Sequence, residues 1–596
     1  MLSPRALAGI IAILGFIAAG NAWASARSGD SLLNFGPDGS LILGVNPSEN
    51  GPARDLAVQV FSRRCLMTAQ PARCARPFRV PGGGRQIVWR SDGHALFAQT
   101  ASHWMVLETV DGEWELTRKG VGGFDSTVLP PVVTGAIFAG LPRSNRPVTD
   151  AVEAEYLNRD GAIVGRLAFA DGGYRIEFID PLRPPRPLPR HIFDRGFTDT
   201  PAQPRITPNA AGSELEIWSS TLGDNGGLIT TGDKTAAVRG PKGPGPWRLI
   251  DVSGRPAGFH SLDHVEGLPR REALGLEAII AADRRRDPSS EISRMAIGPA
   301  ARQTAAIIFS SPNGGWWLRV CSLKTRACRT AQEVVGDCVI ASARPVTLPG
   351  GLSGRLYRPG HRPERGLVIY FQGGPGSNLG VISHGPTRRM ALQGYAVLAV
   401  DYPGASGHGE DLYLRADGQP SRVIRQALDE AARWSAGMGW TLIGFYGTSL
   451  GSVAGVSAAM NSGPQLDFIV LDSPLVTQPF SCDSGIKLRR LFGERRADGK
   501  CELGSLGLPA WDASPTTPVL VIMGGRDTVT PRVLGQAWLG ELKRRGGCGV
   551  AISDDSGGHT LDGWSDQAKE RAEWQITSWL AAVERRDKAR GTCRPA

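Results

Sequence analysis

The feature that most constrains this chain is a change of rhythm near residue 345, after which apolar runs of strand length alternate with runs of helical spacing. Strand-like runs lie at Gly366 to Phe371, Tyr395 to Val400, Thr441 to Tyr446, Leu466 to Leu471, Val519 to Met523 and Gly549 to Ile552. Between or after them, Ile424, Ala427, Leu428, Ala431 and Trp434, and later Ala568, Ala572, Ile576, Trp579 and Val583, recur at helical intervals. Short strands that are apolar throughout need cover on both faces, so this half reads as a mostly parallel sheet between two layers of helices. In such a sheet the chemistry sits at the carboxyl ends of the strands.

From about residue 28 to 340 the pattern differs. Short β-rich runs follow tight-turn residues, as in Gly36-Pro37-Asp38-Gly39, Ser91-Asp92-Gly93, Arg159-Asp160-Gly161, Asp171-Gly172-Gly173 and Pro312-Asn313-Gly314-Gly315. Asp-Gly and Asn-Gly supply the positive φ angles that two-residue hairpins need. Loose self-similarity over this length favours a β-propeller over a large sandwich. The expected architecture has two domains: an all-β, propeller-like unit over 25–344, then the α/β unit over 345–596.

Residues 1–24 read as an export signal. Arg5 precedes an apolar run from Ala6 to Gly20, and Ala22-Trp23-Ala24 fits cleavage before Ser25. The run is shorter than the roughly 20 residues that span a bilayer, so the expectation is a periplasmic or secreted protein with no stable membrane insertion after cleavage. Nine cysteines suit an oxidising compartment. Proximity suggests Cys65 with Cys74, Cys321 with Cys328, and Cys482 with Cys501, with Cys338 able to replace a member of the second pair. No CxxC occurs, and the close histidines His260 and His264 have no cysteine beside them, so no metal is expected. A formal charge of +10 is a small surplus in 596 residues. With no zinc-finger spacing, RNP-type motif or dense basic helix, no nucleic-acid partner is expected. The basic end with Arg585, Arg586, Lys588, Arg590 and Arg594 reads as solvated.

Gly447-Thr448-Ser449-Leu450-Gly451 is the only G-x-S-x-G in the chain. The bare pattern is weak in a glycine-rich sequence, but here it follows a buried strand and opens a small-residue helix, Ser452 to Met460. That strand, sharp turn and helix make a nucleophile elbow. A serine hydroxyl needs an imidazole to take its proton, and in elbow-bearing folds that histidine follows the serine. Of nine histidines only His559 does, directly after the last strand-like run. A carboxylate must orient the imidazole. Asp527, ending Val519-Leu-Val-Ile-Met-Gly-Gly-Arg-Asp527, is favoured over Asp472, which ends the preceding run; Asp554 and Asp555 read as loop residues. The expected oxyanion donors are the backbone N–H of Leu450 and the loop Gln372-Gly373-Gly374-Pro375-Gly376, where Gln372 adds a side-chain amide. That loop lacks the lysine of a phosphate-binding P-loop. No cofactor is required.

Taken in order, Gly373-Gly374-Pro375-Gly376-Ser377, the elbow around Ser449, Asp527 and His559 resemble the α/β-hydrolase domain of the prolyl oligopeptidase family of serine peptidases. Motif-level similarity covers about 345 to 585; over the first half only the architecture is similar. The resemblance implies a β-propeller that restricts access, so that short or unusual peptides reach the serine, as in dipeptidyl, acylaminoacyl and oligopeptidases and the lasso-peptide isopeptidases. Two departures stand out. Many relatives carry a tyrosine donor where Gln372 falls, with Tyr370 and Tyr402 only nearby here, and relatives often read Arg-Gly where this chain has Asp401-Tyr402-Pro403-Gly404. An esterase or other acyl hydrolase of the same fold shares this serine chemistry, and 480–506, with Cys482 and Cys501, suits a small cap. An inactive propeller-based binding protein is the remaining alternative.

Overall fold

The computed structural model describes the strands of residues 31–230 with a few flanking positions, and 245–586 apart from 253–254, 263, 299–303, 361, 380–383, 462–465, 478–490, 498–499 and 512–515. The signal segment, Cys74, Cys482, the first part of the cap segment and the tail beyond 586 lie outside the described residues.

An eight-stranded sheet organises the second half. Its strands are β1 (Ile340–Thr347), β2 (Ser353–Pro359), β3 (Gly366–Phe371), β4 (Tyr395–Val400), β5 (Ile443–Thr448), β6 (Phe468–Asp472), β7 (Val519–Gly524) and β8 (Gly549–Asp554). They lie side by side as β1-β2-β4-β3-β5-β6-β7-β8. Only β2 runs against the rest. The expected runs all become strands, while β1 and β2, which open the sheet across the anticipated 345 boundary, were not anticipated. β1 has exposed and half-buried positions rather than a solid apolar run, as befits an edge strand.

Period-two alternation divides the central strands between two cores. Leu367, Ile369 and Phe371 of β3 enter one, and Val368 and Tyr370 the other; Val519, Val521 and Met523 of β7 oppose Leu520 and Ile522 in the same way. The first core is closed by helices α2 (Pro420–Gly437), α3 (Ser452–Met460) and α4 (Arg532–Arg544), through Ile424, Leu428, Val453 and Leu542. The second is closed by α1 (Gly385–Leu392) and α5 (Asp566–Arg586), through Met390, Ala572 and Ile576. β3 pairs with both β4 and β5. The chain therefore changes direction across the sheet there, and the loops after β3 and β5 flank a crevice at the strands' carboxyl ends.

In the first half, each of the five quoted turns joins two antiparallel neighbours. Strands between 31 and 230 form sheets of four, four, four and three strands. A seven-stranded sheet covers 248–334. The all-β expectation is corrected here by a short helix, Arg63–Leu66, and by a 17-residue one, Arg270–Arg286, which packs Leu276, Ile279 and Ile280 on Ile292, Ile307 and Phe309 of that sheet. Asp283, buried on the longer helix, accepts hydrogen bonds from Trp317 Nε1 at 3.0 Å and Arg319 Nε at 2.8 Å. Three consecutive arginines at that helix's end obscured its amphipathic pattern. Cys321 and Cys328 are disulfide-bonded, whereas Cys338 is free. Cys65 and Cys548 are also in disulfides. Among the described residues no cluster of metal-binding side chains occurs, and no helix is long and apolar enough to cross a membrane.

Candidate active site

β5 ends at Thr448, and the chain turns through a single 3-10 turn, Ser449–Gly451, into α3. Ser449 takes φ 50°, the left-handed region that costs a non-glycine residue about 1–2 kcal/mol. The turn is this tight because its glycines have no side chains: a Cβ on Gly447 would come 2.6 Å from Ser452 Cα, and one on Gly451 would collide with the carbonyl oxygens of Phe371 and Gln372. The strained backbone lifts the Ser449 side chain out of the sheet, half-buried, at the crevice.

His559, beyond β8, places Nε2 3.1 Å from Ser449 Oγ and Nδ1 2.8 Å from Asp527 Oδ2. A carboxylate only accepts, so Nδ1 carries the proton and Nε2 offers its lone pair to the serine hydroxyl. Asp527, just beyond β7, is held from every side. Its Oδ1 accepts the backbone N–H of Val529 and of Thr530, each at 2.8 Å, and its Oδ2 accepts the Thr530 hydroxyl at 2.7 Å. Burial alone would push the Asp527 carboxyl up; the hydrogen bond and charge of His559, with the donors of Thr530, outweigh burial and hold it below the usual carboxylate range. The histidine therefore faces an ionised partner.

Asp472, the competing carboxylate, is buried elsewhere. It accepts Tyr446 Oη–H at 3.1 Å and the Leu561 N–H at 3.0 Å. Tyr446 in turn accepts from Arg389, which also reaches Asp562 at 3.0 Å. Burial, opposed by Arg389 and aided by Asp562, pushes the Asp472 carboxyl up to about 6. Together with the Thr560 N–H to Ser473 Oγ contact at 2.8 Å, this network clamps the loop that presents His559. Asp554 accepts from Ser556 and Arg571, and Asp555 pairs with Arg532.

On the oxyanion side, Gly373 lies against the serine: a Cβ there would be 3.2 Å from Ser449 Cβ and 3.8 Å from Oγ. Gly374 packs beside Leu450, with a built Cβ 3.3 Å from Leu450 Cδ2. The N–H of Leu450 falls in the first turn of helical structure, where backbone donors lack intrahelical acceptors. Gln372 departs from expectation. Its Nε2 donates to buried Asp401 Oδ1 at 2.8 Å, so its amide serves a carboxylate behind the loop. Tyr402, the nearby tyrosine, donates to Gln372 O at 2.7 Å. Thr530, Ser473 and His408 escaped the sequence reading because none sits in a recognisable motif, and Asp401 entered it only as a departure from the relatives' Arg-Gly; a hydroxyl three residues after Asp527 was the one available signal.

No family model and no curated protein matches the sequence. The fold, however, is matched by solved structures. A puromycin-hydrolysing peptidase from Mycobacterium tuberculosis aligns with a TM-score of 0.55 and 12% identity over 94% of this chain and 95% of that one. A prolyl endopeptidase aligns with a TM-score of 0.50 and 12% identity over 93% and 81%. Both are peptidases of the prolyl oligopeptidase family, and the resemblance read from the motifs is borne out as one of fold.

Proposed function

We propose that this chain, built on the fold of prolyl oligopeptidase family peptidases, is an exported serine peptidase acting on short or conformationally unusual peptides, isopeptides included. One observation carries the reading: a continuous hydrogen-bonded line from Ser449 Oγ through His559 to Asp527, at the carboxyl ends of β5, β8 and β7. In the proposed cycle Ser449 Oγ attacks the scissile carbonyl carbon as His559 Nε2 takes its proton, and Asp527 stabilises the imidazolium without itself taking the proton. The tetrahedral oxyanion is received by the Leu450 N–H and the Gly373-Gly374 backbone. His559 then gives the proton to the leaving amine, and an acyl-Ser449 ester remains. Water, deprotonated by the same imidazole, releases the acid and restores the serine.

The sheets of antiparallel strands in chain order over 31–230 support reading this half as propeller blades that screen out folded proteins. The peptide substrate class rests on the fold shared with a puromycin-hydrolysing peptidase and a prolyl endopeptidase. Export rests on the signal-like start and agrees with the Cys321–Cys328 disulfide. The test is labelling by a fluorophosphonate probe, followed by turnover of peptides, isopeptides and p-nitrophenyl esters. Labelling that requires Ser449, with amide cleavage exceeding ester cleavage, is expected. Labelling that persists in Ser449→Ala overturns the assignment of the nucleophile, and ester turnover alone makes the protein an esterase.

A further inference from the structure

A second histidine–carboxylate pair lies behind the crevice. Asp401, one residue past β4, is fully buried, and His408 Nε2 stands 2.7 Å from its Oδ2. The other oxygen, Oδ1, accepts Gln372 Nε2 at 2.8 Å and the Leu379 N–H at 2.9 Å. Gln372 and Leu379 are the two ends of the loop that carries Gly373 and Gly374. One carboxylate therefore grips both ends of that loop, and His408 supplies the donor that completes its hydrogen bonding.

The contacts between these ends align the same two segments. The Gly376 N–H donates to Gly404 O at 3.0 Å, and Asn378 Nδ2 donates to Ser406 O at 3.0 Å. Ser406 Oγ donates to Gly376 O, and Tyr402 to Gln372 O. From the other side, the Trp247 N–H reaches Gly407 O at 2.8 Å, so the first half of the chain braces the segment that holds His408.

Resting on the reading of Ser449 as nucleophile and of Gly373-Gly374 as oxyanion cradle, we propose that His408 and Asp401 are positioning residues that fix the cradle's distance from Ser449. Neither touches substrate. The pair is worth its burial because a buried, hydrogen-bonded carboxylate holds a glycine-rich loop in one place, whereas glycines alone would let it wander. Displacing oxyanion donors by about 1 Å is enough to lose some 100-fold in rate.

The test measures saturable inactivation by a fluorophosphonate, whose phosphoryl oxygen enters the same cradle, on the full chain. His408→Leu removes the donor at similar volume, and His408→Gln restores an N–H near the Nε2 position. His408→Leu is expected to slow the maximal inactivation rate about 10- to 100-fold while half-saturation moves less than about twofold, and His408→Gln to return to within about fivefold of the parent. A merely structural role lowers the labelled fraction and leaves the rate constant per labelled site unchanged, so that result overturns the proposal. So does a His408→Gln as slow as His408→Leu. If His408→Leu is recovered unfolded, His408→Asn, whose amide is too short to reach Asp401, takes its place with the same expectation. A parent protein that is not labelled at Ser449 sinks the serine assignment itself, a distinct outcome from labelling that ignores His408.

Discussion

Thr530 offers the sharpest test of how Asp527 is held. Its hydroxyl has one proton and three neighbours: Asp527 Oδ2 at 2.7 Å, Ser473 O at 3.2 Å and His559 Nδ1 at 3.4 Å. The shortest, to a carboxylate, receives it. Thr530→Val keeps the shape and deletes that donor. A hydrogen bond to a charged group contributes about 1.5–3 kcal/mol. Oδ2 retains His559, and Oδ1 retains two backbone N–H groups, so no acceptor is stranded and the low end, about 1.5 kcal/mol, applies. If that loss falls on the state in which His559 is charged, kcat drops about tenfold with KM unchanged, since about 1.4 kcal/mol corresponds to a factor of ten.

The same substitution has a signed pH signature. Asp527 titrates below its unfolded value, so its stabilisation is fully present above the ordinary carboxylate range, near pH 4, and is lost as pH falls through the depressed folded value. Removing Thr530's donor raises that folded value. The stability deficit of Thr530→Val is therefore greatest at neutral pH and shrinks below about pH 4. Urea melts across pH and steady-state hydrolysis check both claims, and Thr530→Ser should recover most of the loss. A Thr530→Val protein with parental kcat and a pH-independent deficit would refute the role given to this hydroxyl.

Ser449→Ala should lower kcat by about four to six orders of magnitude with the melting temperature preserved, because the substitution removes the hydroxyl and keeps the Cβ at the same left-handed φ. Asp527→Asn should cost about 10³–10⁴ in kcat, whereas Asp472→Asn, which leaves the His559–Asp527 bond intact, should cost less than about tenfold; steady-state rates of the two variants decide between the carboxylates. Because Asp472 titrates up near 6 in the folded chain, stability should fall as pH rises from about 4 through about 6, and Asp472→Asn should flatten that slope in urea melts. Gly451→Ala drives a Cβ into the carbonyls of Phe371 and Gln372, which should destabilise the α/β half by about 2–3 kcal/mol and abolish probe labelling; parental labelling would contradict the tightness of the turn.

What the sequence decided alone was the periodic and the unique. The central strands were legible because both faces are covered, so their residues are apolar without interruption, and the amphipathic helices over them show a clean 3.6-residue period. Ser449 was legible because the elbow needs glycines where backbones touch, and His559 because no other histidine follows the serine. Tertiary structure decided the rest. Asp472 ends β6 and Asp527 lies just beyond the neighbouring parallel strand β7, so the sequence favoured Asp527 without settling the choice; it falls to Asp527 because its loop carries it to His559, while Asp472 turns to Tyr446 and Leu561. Gln372 looked like an oxyanion donor until Asp401, 29 residues away, claimed its amide. The Arg270–Arg286 helix and the opening strands β1 and β2 draw their stability from the sheets they cover or extend. Side-chain partnerships across long stretches of chain depend on where loops end in space, and no periodicity in the sequence encodes that.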